Sequence, residues 1–184
     1  MIDALLHRDH TPYREIGRQT VHYTLDRAGI DHTDEEVRDL VSHIERLTPF
    51  PDVVDALTEI KAHGLGLVIL SNGDPDMLAA GVPYSGTGQL WDRVISVAAA
   101  GSFKPHRDTY MAAAELIGLD PAEVLFVANH AFDCVGAKAA GMRTAFVDRR
   151  KRPFGNETYA PDLVVADFAA LAKTVTSLVA ATRS

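Results

Sequence analysis

Val124-Leu125-Phe126-Val127-Ala128-Asn129-His130-Ala131-Phe132-Asp133 is the stretch on which the fold turns. An apolar run with no polar interruption gives way to polar residues and then to a helix-like continuation, Gly136-Ala137-Lys138-Ala139-Ala140-Gly141-Met142. A run that is apolar at every position, and not only at alternate ones, belongs to a strand covered on both faces. Leu67-Val68-Ile69-Leu70, followed by Ser71-Asn72-Gly73-Asp74, repeats the pattern upstream. Around these two stretches the periodicity predicts helix 52–63, strand 65–71, helix 75–80, strand 93–97, helix 106–117, strand 124–128, helix 133–140, strand 144–148, strand 163–166 and helix 167–181. Helices alternating with short apolar strands predict a doubly wound α/β fold with a parallel sheet.

Toward the N-terminus the pattern changes. Ile16, Val21, Tyr23 and Leu25 recur at helical spacing up to a stop at Gly29, and Thr33-Asp34-Glu35-Glu36 has the form of a capping box opening a second helix through Val37, Leu40, Val41, Ile44 and Leu47. No strand precedes Thr48-Pro49-Phe50-Pro51-Asp52, so the boundary falls there: a helical segment 1–48, then an α/β core 49–184. No internal repeat and no low-complexity tract interrupts either part.

Composition narrows the function. A chain of 184 residues, 47% apolar, can bury a hydrophobic core. Its net charge of -7 speaks against nucleic acid or an anionic membrane as partner, because both reward clustered Lys and Arg, and the only such cluster is Arg149-Arg150-Lys151-Arg152, read as a solvated loop. Neither a basic and apolar leader nor a membrane-length run is present, which places the expected protein in the cytoplasm. The single Cys134 cannot form an internal disulfide, and as a small buried residue beside Asp133 it is a poor thiolate.

In an open parallel sheet ligands bind beyond the carboxyl ends of the strands, so the residues following each run are the candidates. These are Ser71-Asn72-Gly73-Asp74, Ser102-Phe103-Lys104-Pro105, Asn129 to Asp133, and Asp148-Arg149, all at one edge. Ser71 with the following amides could hold a carboxylate or phosphoryl oxygen, although taken alone Ser-Asn-Gly is an ordinary turn. Lys104 could supply a fixed positive charge or be a solvated loop lysine. Asp133 alone is a favourable first-turn charge on a helix. With Ser71 and Lys104 at the same edge, a shared site becomes the better reading. His130 is a tentative acid or base, or a polar residue satisfied by backbone. Tyr110 lines the pocket or packs on the sheet, and Trp91 and Phe132 read as core.

Leu70-Ser71-Asn72-Gly73, then Phe103-Lys104-Pro105 with Tyr110, then Phe126 to Asp133 with Gly136-Ala137-Lys138, resemble in order and spacing motifs two, three and four of the haloacid dehalogenase superfamily. Among its branches the chain is most similar to the type II 2-haloacid dehalogenases. The resemblance implies a HAD-like Rossmannoid hydrolase of a small 2-halo acid, working through an aspartyl ester to give the 2-hydroxy acid. It implies that Lys104 and Asp133 are catalytic, with His130 tentative. Ser71, Asn72, Tyr110 and Asn129 would bind substrate, and the helices before Pro49 would be part of a helical cap. It implies no cofactor, and a homodimer on the resemblance alone.

Three departures shape the expectations. Metal-dependent phosphatases of the superfamily carry two acids where this chain has Asn129 and only Asp133; the phosphatase alternative would call on Mg²⁺. Ala128 and His130 stand where the dehalogenase pattern has Ser and Asn. Motif one, an apolar strand ending in the nucleophilic Asp, has no match before Pro49, so the chain reads as N-terminally truncated. The sheet is expected to lack its first, central strand, between the strands ending at Ser71 and Asn129. An inactive remnant that binds a small anion or a partner is the third alternative.

Overall fold

The computed structural model describes residues 11–182. The helical segment is α1 (Tyr13–Ala28), α2 (Asp34–Ser42) and a 3-10 turn at His43–Arg46. The core follows as α3 (Val53–Ala62), β1 (Val68–Ser71), α4 (Pro75–Tyr84), β2 (Arg93–Ser96), α5 (Arg107–Ile117), β3 (Leu125–Ala128), α6 (Ala131–Ala139), β4 (Arg143–Val147), β5 (Leu163–Val165) and α7 (Phe168–Thr182). Every pairing is parallel: β1 with β2, β3 with β4, and β4 with β5.

The sheet is in two pieces, β1-β2 and β3-β4-β5, and among the described residues nothing pairs β1 with β3. These are the strands that end at Ser71 and before Asn129, between which the resemblance implies a central strand. Both pieces share their covering layers. On one face α3 and α7 (Ala56, Leu57, Ile60, Leu171, Ala172, Val175) pack on Leu67, Leu125, Val127, Ala145 and Val147. On the other, α5 and α6 (Tyr110, Ala114, Ala137, Ala140) pack on Leu70 and Phe126.

Several boundaries differ from the periodicity, each for a local reason. The first strand starts at Val68 and not at 65, because the Leu67 amide is taken by the Asp92 carboxylate at 2.8 Å. The helix after Asp74 runs on to Tyr84 with Pro83 inside its last turn, where the proline forfeits only one intrahelical bond. α6 begins at Ala131, two residues before Asp133, and α2 stops at Ser42 and tightens into the 3-10 turn. The capping box at Thr33 and Glu36 forms as read.

Two acidic residues fasten the parts together. Pro12 offers no side-chain cap to α1, and Asp74 takes that role from the far side of β1: its two oxygens accept the amides of Tyr13 and Arg14 at 2.8 and 2.9 Å. Arg14 in turn reaches Glu45 and Asp76. Asp52 accepts from Arg149 and from the Phe168 amide, both at 2.7 Å, and so joins the start of α3 to the exit of β4 and the start of α7. Hydrogen bonding to the Arg149 guanidinium holds the Asp52 carboxyl below its ordinary range.

No helix among the described residues is long and apolar enough to cross a membrane.

Candidate active site

Lys104 is the centre of the arrangement. It follows the fully buried Phe103, which anchors the loop against Val97, Leu70 and the α1 residues Tyr13 and Ile16. Its amide donates to Asn72 Oδ1 at 2.9 Å, which fixes the loop to the turn after β1. Its ammonium donates to the Leu70 carbonyl at 3.1 Å, stands 3.3 Å from Asp133 Oδ1, and lies 5.7 Å from the centroid of the Phe126 ring. The lysine therefore bridges the two pieces of the sheet at their carboxyl ends. With both side chains nearly withdrawn from solvent, 13% and 10% exposed, this pair is poorly screened and unlike a surface ion pair.

Asp133 sits in the first turn of α6, where the helix dipole favours a carboxylate. Its Oδ1 is buried, and the nearby ammonium does not meet it in hydrogen-bonding geometry, so that oxygen has no hydrogen-bond donor. The turn is held from beneath by Tyr110, whose hydroxyl donates to the Asp133 carbonyl at 3.1 Å. Space forces the residue type at Gly136: a Cβ there would lie 2.7 Å from the Pro105 carbonyl oxygen and 2.7 Å from the Tyr110 ring. Gly136 thus lets α6 press against the Lys104-Pro105 loop, and brings Asp133 to Lys104.

The remaining candidates divide. Ser71 Oγ accepts the Gly73 amide at 3.1 Å, and the Gly73 carbonyl is held by Ser96 Oγ at 2.7 Å, so the Ser71-Asn72-Gly73 turn is rigid and half-buried at the same edge. Asn72 faces Lys104 through the bond already given. Asn129 is turned toward β4, its amide donating to the Val147 carbonyl at 2.7 Å. His130 is exposed, makes no side-chain cap to α6, and has Phe132 as its ring neighbour at 5.6 Å. Tyr110 is fully buried and packs edge-on against Phe126; the reading that it lines the pocket gives way to one in which it supports the Asp133 turn from inside the core. Burial raises its phenol far above the ordinary range, and it pushes the Cys134 thiol up to about 12, with Asp133 adding to both. Cys134 is accordingly a protonated core residue.

The sequence reading named Asp74 only within the turn after the first strand and did not name Ser96. Asp74 reads as a turn residue, and its long-range capping of α1 has no local signal. Ser96 stands directly opposite Ser71 in the β1–β2 register, information that only the pairing supplies. A cleft of ≈ 1040 Å³ lies between α4 and the outer strand β2, lined by Leu78, Val82, Val94, Ile95, Ser96 and Leu116; Lys104, Asp133 and Ser71 are not among its lining residues.

Comparison with known proteins bears on the fold and the family. Residues 5–141 match the family model for haloacid dehalogenase-like hydrolases. An (S)-2-haloacid dehalogenase of Xanthobacter autotrophicus is 40% identical over 85% of this chain and 59% of its own length. Another, from Pseudomonas sp. (strain YL), is 31% identical over 91% of this chain and 72% of its own. The structure of the L-2-haloacid dehalogenase from Xanthobacter autotrophicus with chloropropionic acid covalently bound superposes with a TM-score of 0.85 at 36% identity, covering 95% of this chain and 79% of that one. A HAD phosphatase from Thermococcus onnurineus shares the fold at a TM-score of 0.65 and 21% identity. This chain thus spans about three fifths of the Xanthobacter relative's length. By its matching motifs, its parallel sheet and these likenesses, the chain belongs to the haloacid dehalogenase-like hydrolase family.

Proposed function

We propose that the protein, in its active form, hydrolyses small 2-halo acids. The observation that carries this reading is the Lys104 ammonium, held at the carboxyl ends of β1 and β3 by Leu70 and paired with Asp133. In the reaction, a carboxylate oxygen of an aspartate attacks C2 of the substrate and forms a C–O bond as the carbon–halogen bond breaks, releasing halide. Water then adds to the aspartyl carbonyl carbon. Cleavage of the acyl C–O bond frees the 2-hydroxy acid and restores the carboxylate, with loss of one proton. Lys104 steadies the anionic nucleophile, Asp133 orients the hydrolytic step with His130 assisting, and Ser71 with its neighbouring amides takes the substrate carboxylate. Asn72 acts through Lys104, and Tyr110 through the Asp133 turn. No aspartate among the described residues stands in the nucleophile's motif. That group belongs to the strand the resemblance places between β1 and β3.

The phosphatase alternative calls on Mg²⁺, and the residues present fit it poorly. Asp133 is engaged by an ammonium, and Asn129, at the position of the second acid, has its amide turned to Val147. The helices before Pro49 form part of a cap over this edge, with Tyr13 and Ile16 seated on Phe103. Assembly as a homodimer rests on the resemblance alone and is checked by light scattering. The function is tested on the native protein isolated from its source by measuring halide release from 2-chloropropionate beside Mg²⁺-dependent phosphate release from a small phosphomonoester. Halide release without added metal is expected. Fast phosphate release with no halide overturns the reading, and turnover of neither substrate by a folded protein favours the inactive remnant.

A further inference from the structure

We infer that Ser96 is a positioning residue for the substrate carboxylate. Its one hydroxyl, at the carboxyl end of β2, ties the Ser71 turn to the segment that carries Lys104, and so holds the Ser71 hydroxyl and the Lys104 ammonium in a single anion-binding frame.

Register puts Ser96 in place. Ser71 and Ser96 form the last pair of the β1–β2 ladder, so both side chains leave the sheet together at its carboxyl edge. Each hydroxyl then meets Gly73 from a different side. Ser71 Oγ accepts the Gly73 amide at 3.1 Å, and Ser96 Oγ donates to the Gly73 carbonyl at 2.7 Å. Gly73 is buried, and gripped at both its amide and its carbonyl it cannot turn without leaving a buried polar group unpaired. A Cβ here would lie 3.4 Å from Ser71 Oγ and 3.3 Å from the Leu78 side chain, so glycine lets the turn fold this closely over the hydroxyl. Ser71 spends a lone pair on Gly73 and keeps its O–H proton to donate; among the described residues that proton has no acceptor.

The same Ser96 oxygen also works along its own chain. It accepts the Ala98 amide at 3.2 Å and so caps the 3-10 turn Val97–Ala100, which leads through the anchored Phe103 to Lys104. A second rung joins the same two segments, from the Lys104 amide to Asn72 Oδ1 at 2.9 Å. Ser96 and Asn72 thus fasten the Ser71 turn to the lysine loop at two points. The separation of the hydroxyl donor from the ammonium follows from that frame, and a binding constellation tolerates displacements of only about 0.5 Å. Ser96 therefore acts on substrate affinity through Ser71 and touches no reacting atom.

This deepens the proposed function and rests on the reading that Ser71 takes the substrate carboxylate, so the experiment separates the two. In an active form of the protein, KM and kcat for 2-chloropropionate are measured in Ser96→Ala, Ser96→Thr, Ser71→Ala and the double alanine variant. Ser96→Ala should raise KM about fivefold, the scale of one neutral hydrogen bond, with kcat held within about twofold. Ser96→Thr keeps the hydroxyl and should restore KM. Ser71→Ala should raise KM about tenfold or more, as for a hydrogen bond to a charged group, and the double variant should be no worse than Ser71→Ala alone. A serine that merely stabilised the fold would instead lower kcat with the quantity of folded enzyme, at unchanged KM.

Hydrogen exchange on the 184-residue chain adds a readout that needs no turnover. In Ser96→Ala the Gly73 amide should exchange about tenfold faster, while Ala145 in the buried strand β4 is unchanged. Unchanged Gly73 exchange, or additive effects of the two alanines on KM, would overturn the proposal. A raised KM in Ser71→Ala with an unchanged KM in Ser96→Ala overturns it alone, whereas an unchanged KM in Ser71→Ala overturns the carboxylate reading and the proposal with it.

Discussion

β4 and β1 belong to the same parallel layer and live in different surroundings. β4 is flanked on both sides, by β3 and β5, and its residues from Thr144 on are buried; β1 is flanked only by β2, and none of Val68 to Ser71 is buried. Hydropathy points the other way, since Val68-Ile69-Leu70-Ser71 is more apolar than Arg143-Thr144-Ala145-Phe146-Val147 and yet less buried. The comparison teaches that burial in a parallel sheet is conferred by neighbours on the ladder as much as by helices on the faces, and that the half-flanked strands are the ones whose ends meet at Lys104.

The largest expected effect tests that meeting point. In an active form of the protein, Lys104→Ala and Asp133→Ala should each lower kcat by about 100-fold or more, the scale of removing a preorganised charge beside the reacting atoms. Unchanged kcat in either would remove that residue from the chemistry and leave the two halves of the sheet merely adjacent. Next comes Gly136→Ala, whose Cβ meets a backbone oxygen that cannot swing aside. It should destabilise by about 1–3 kcal/mol, read from the denaturant midpoint, and should loosen the Lys104–Asp133 pair.

The matched pair Val147→Ala and Val68→Ala addresses the strands directly. The first should cost about 2 kcal/mol and the second less than about half of that, because Val68 already meets solvent. Equal costs would mean that the open edge is closed in solution. Tyr110→Phe should cost about 1 kcal/mol, leaving the Asp133 carbonyl without its buried donor.

The smallest effect concerns pH and the closed half. Asp52 and Asp162 are held below the ordinary carboxylate range, chiefly by hydrogen bonds to Arg149 and Lys138 respectively. A depressed folded-state value means the unfolded chain takes up protons first. Stability from these pairs is therefore full above the unfolded carboxylate range, about pH 4, and is lost as pH falls below it through the depressed values. Denaturant midpoints across that range should flatten in Asp52→Asn and Asp162→Asn. An unchanged slope in both would show that the pairs do not contribute.

Much of this was legible in the residues, and the limits are physical. The doubly apolar runs at Leu67 and Val124 announced parallel strands, though not that an open ladder edge leaves both only part-buried, and the polar residues after them announced the edge where Ser71, Lys104 and Asp133 gather. Tyr110 was ambiguous because a tyrosine six residues after Lys104 can face either side of a helix, and only packing shows its ring turned inward beneath Gly136. The cap that Asp74 gives α1 spans sixty residues, and the match of Ser96 with Ser71 depends on register, so neither had a local signature. The helix expected at 75–80 runs on to Tyr84 because a last turn tolerates Pro83 where an interior would not.

The most direct test of the account is a single-turnover reaction of the native protein with 2-chloropropionate in ¹⁸O-labelled water, with mass analysis of the product and of the protein's peptides. The account predicts that the label enters one aspartate carboxylate while the first-formed 2-hydroxy acid carries none, with both signals lost in Lys104→Ala. Label appearing directly in the product hydroxyl, with unlabelled protein, would contradict it.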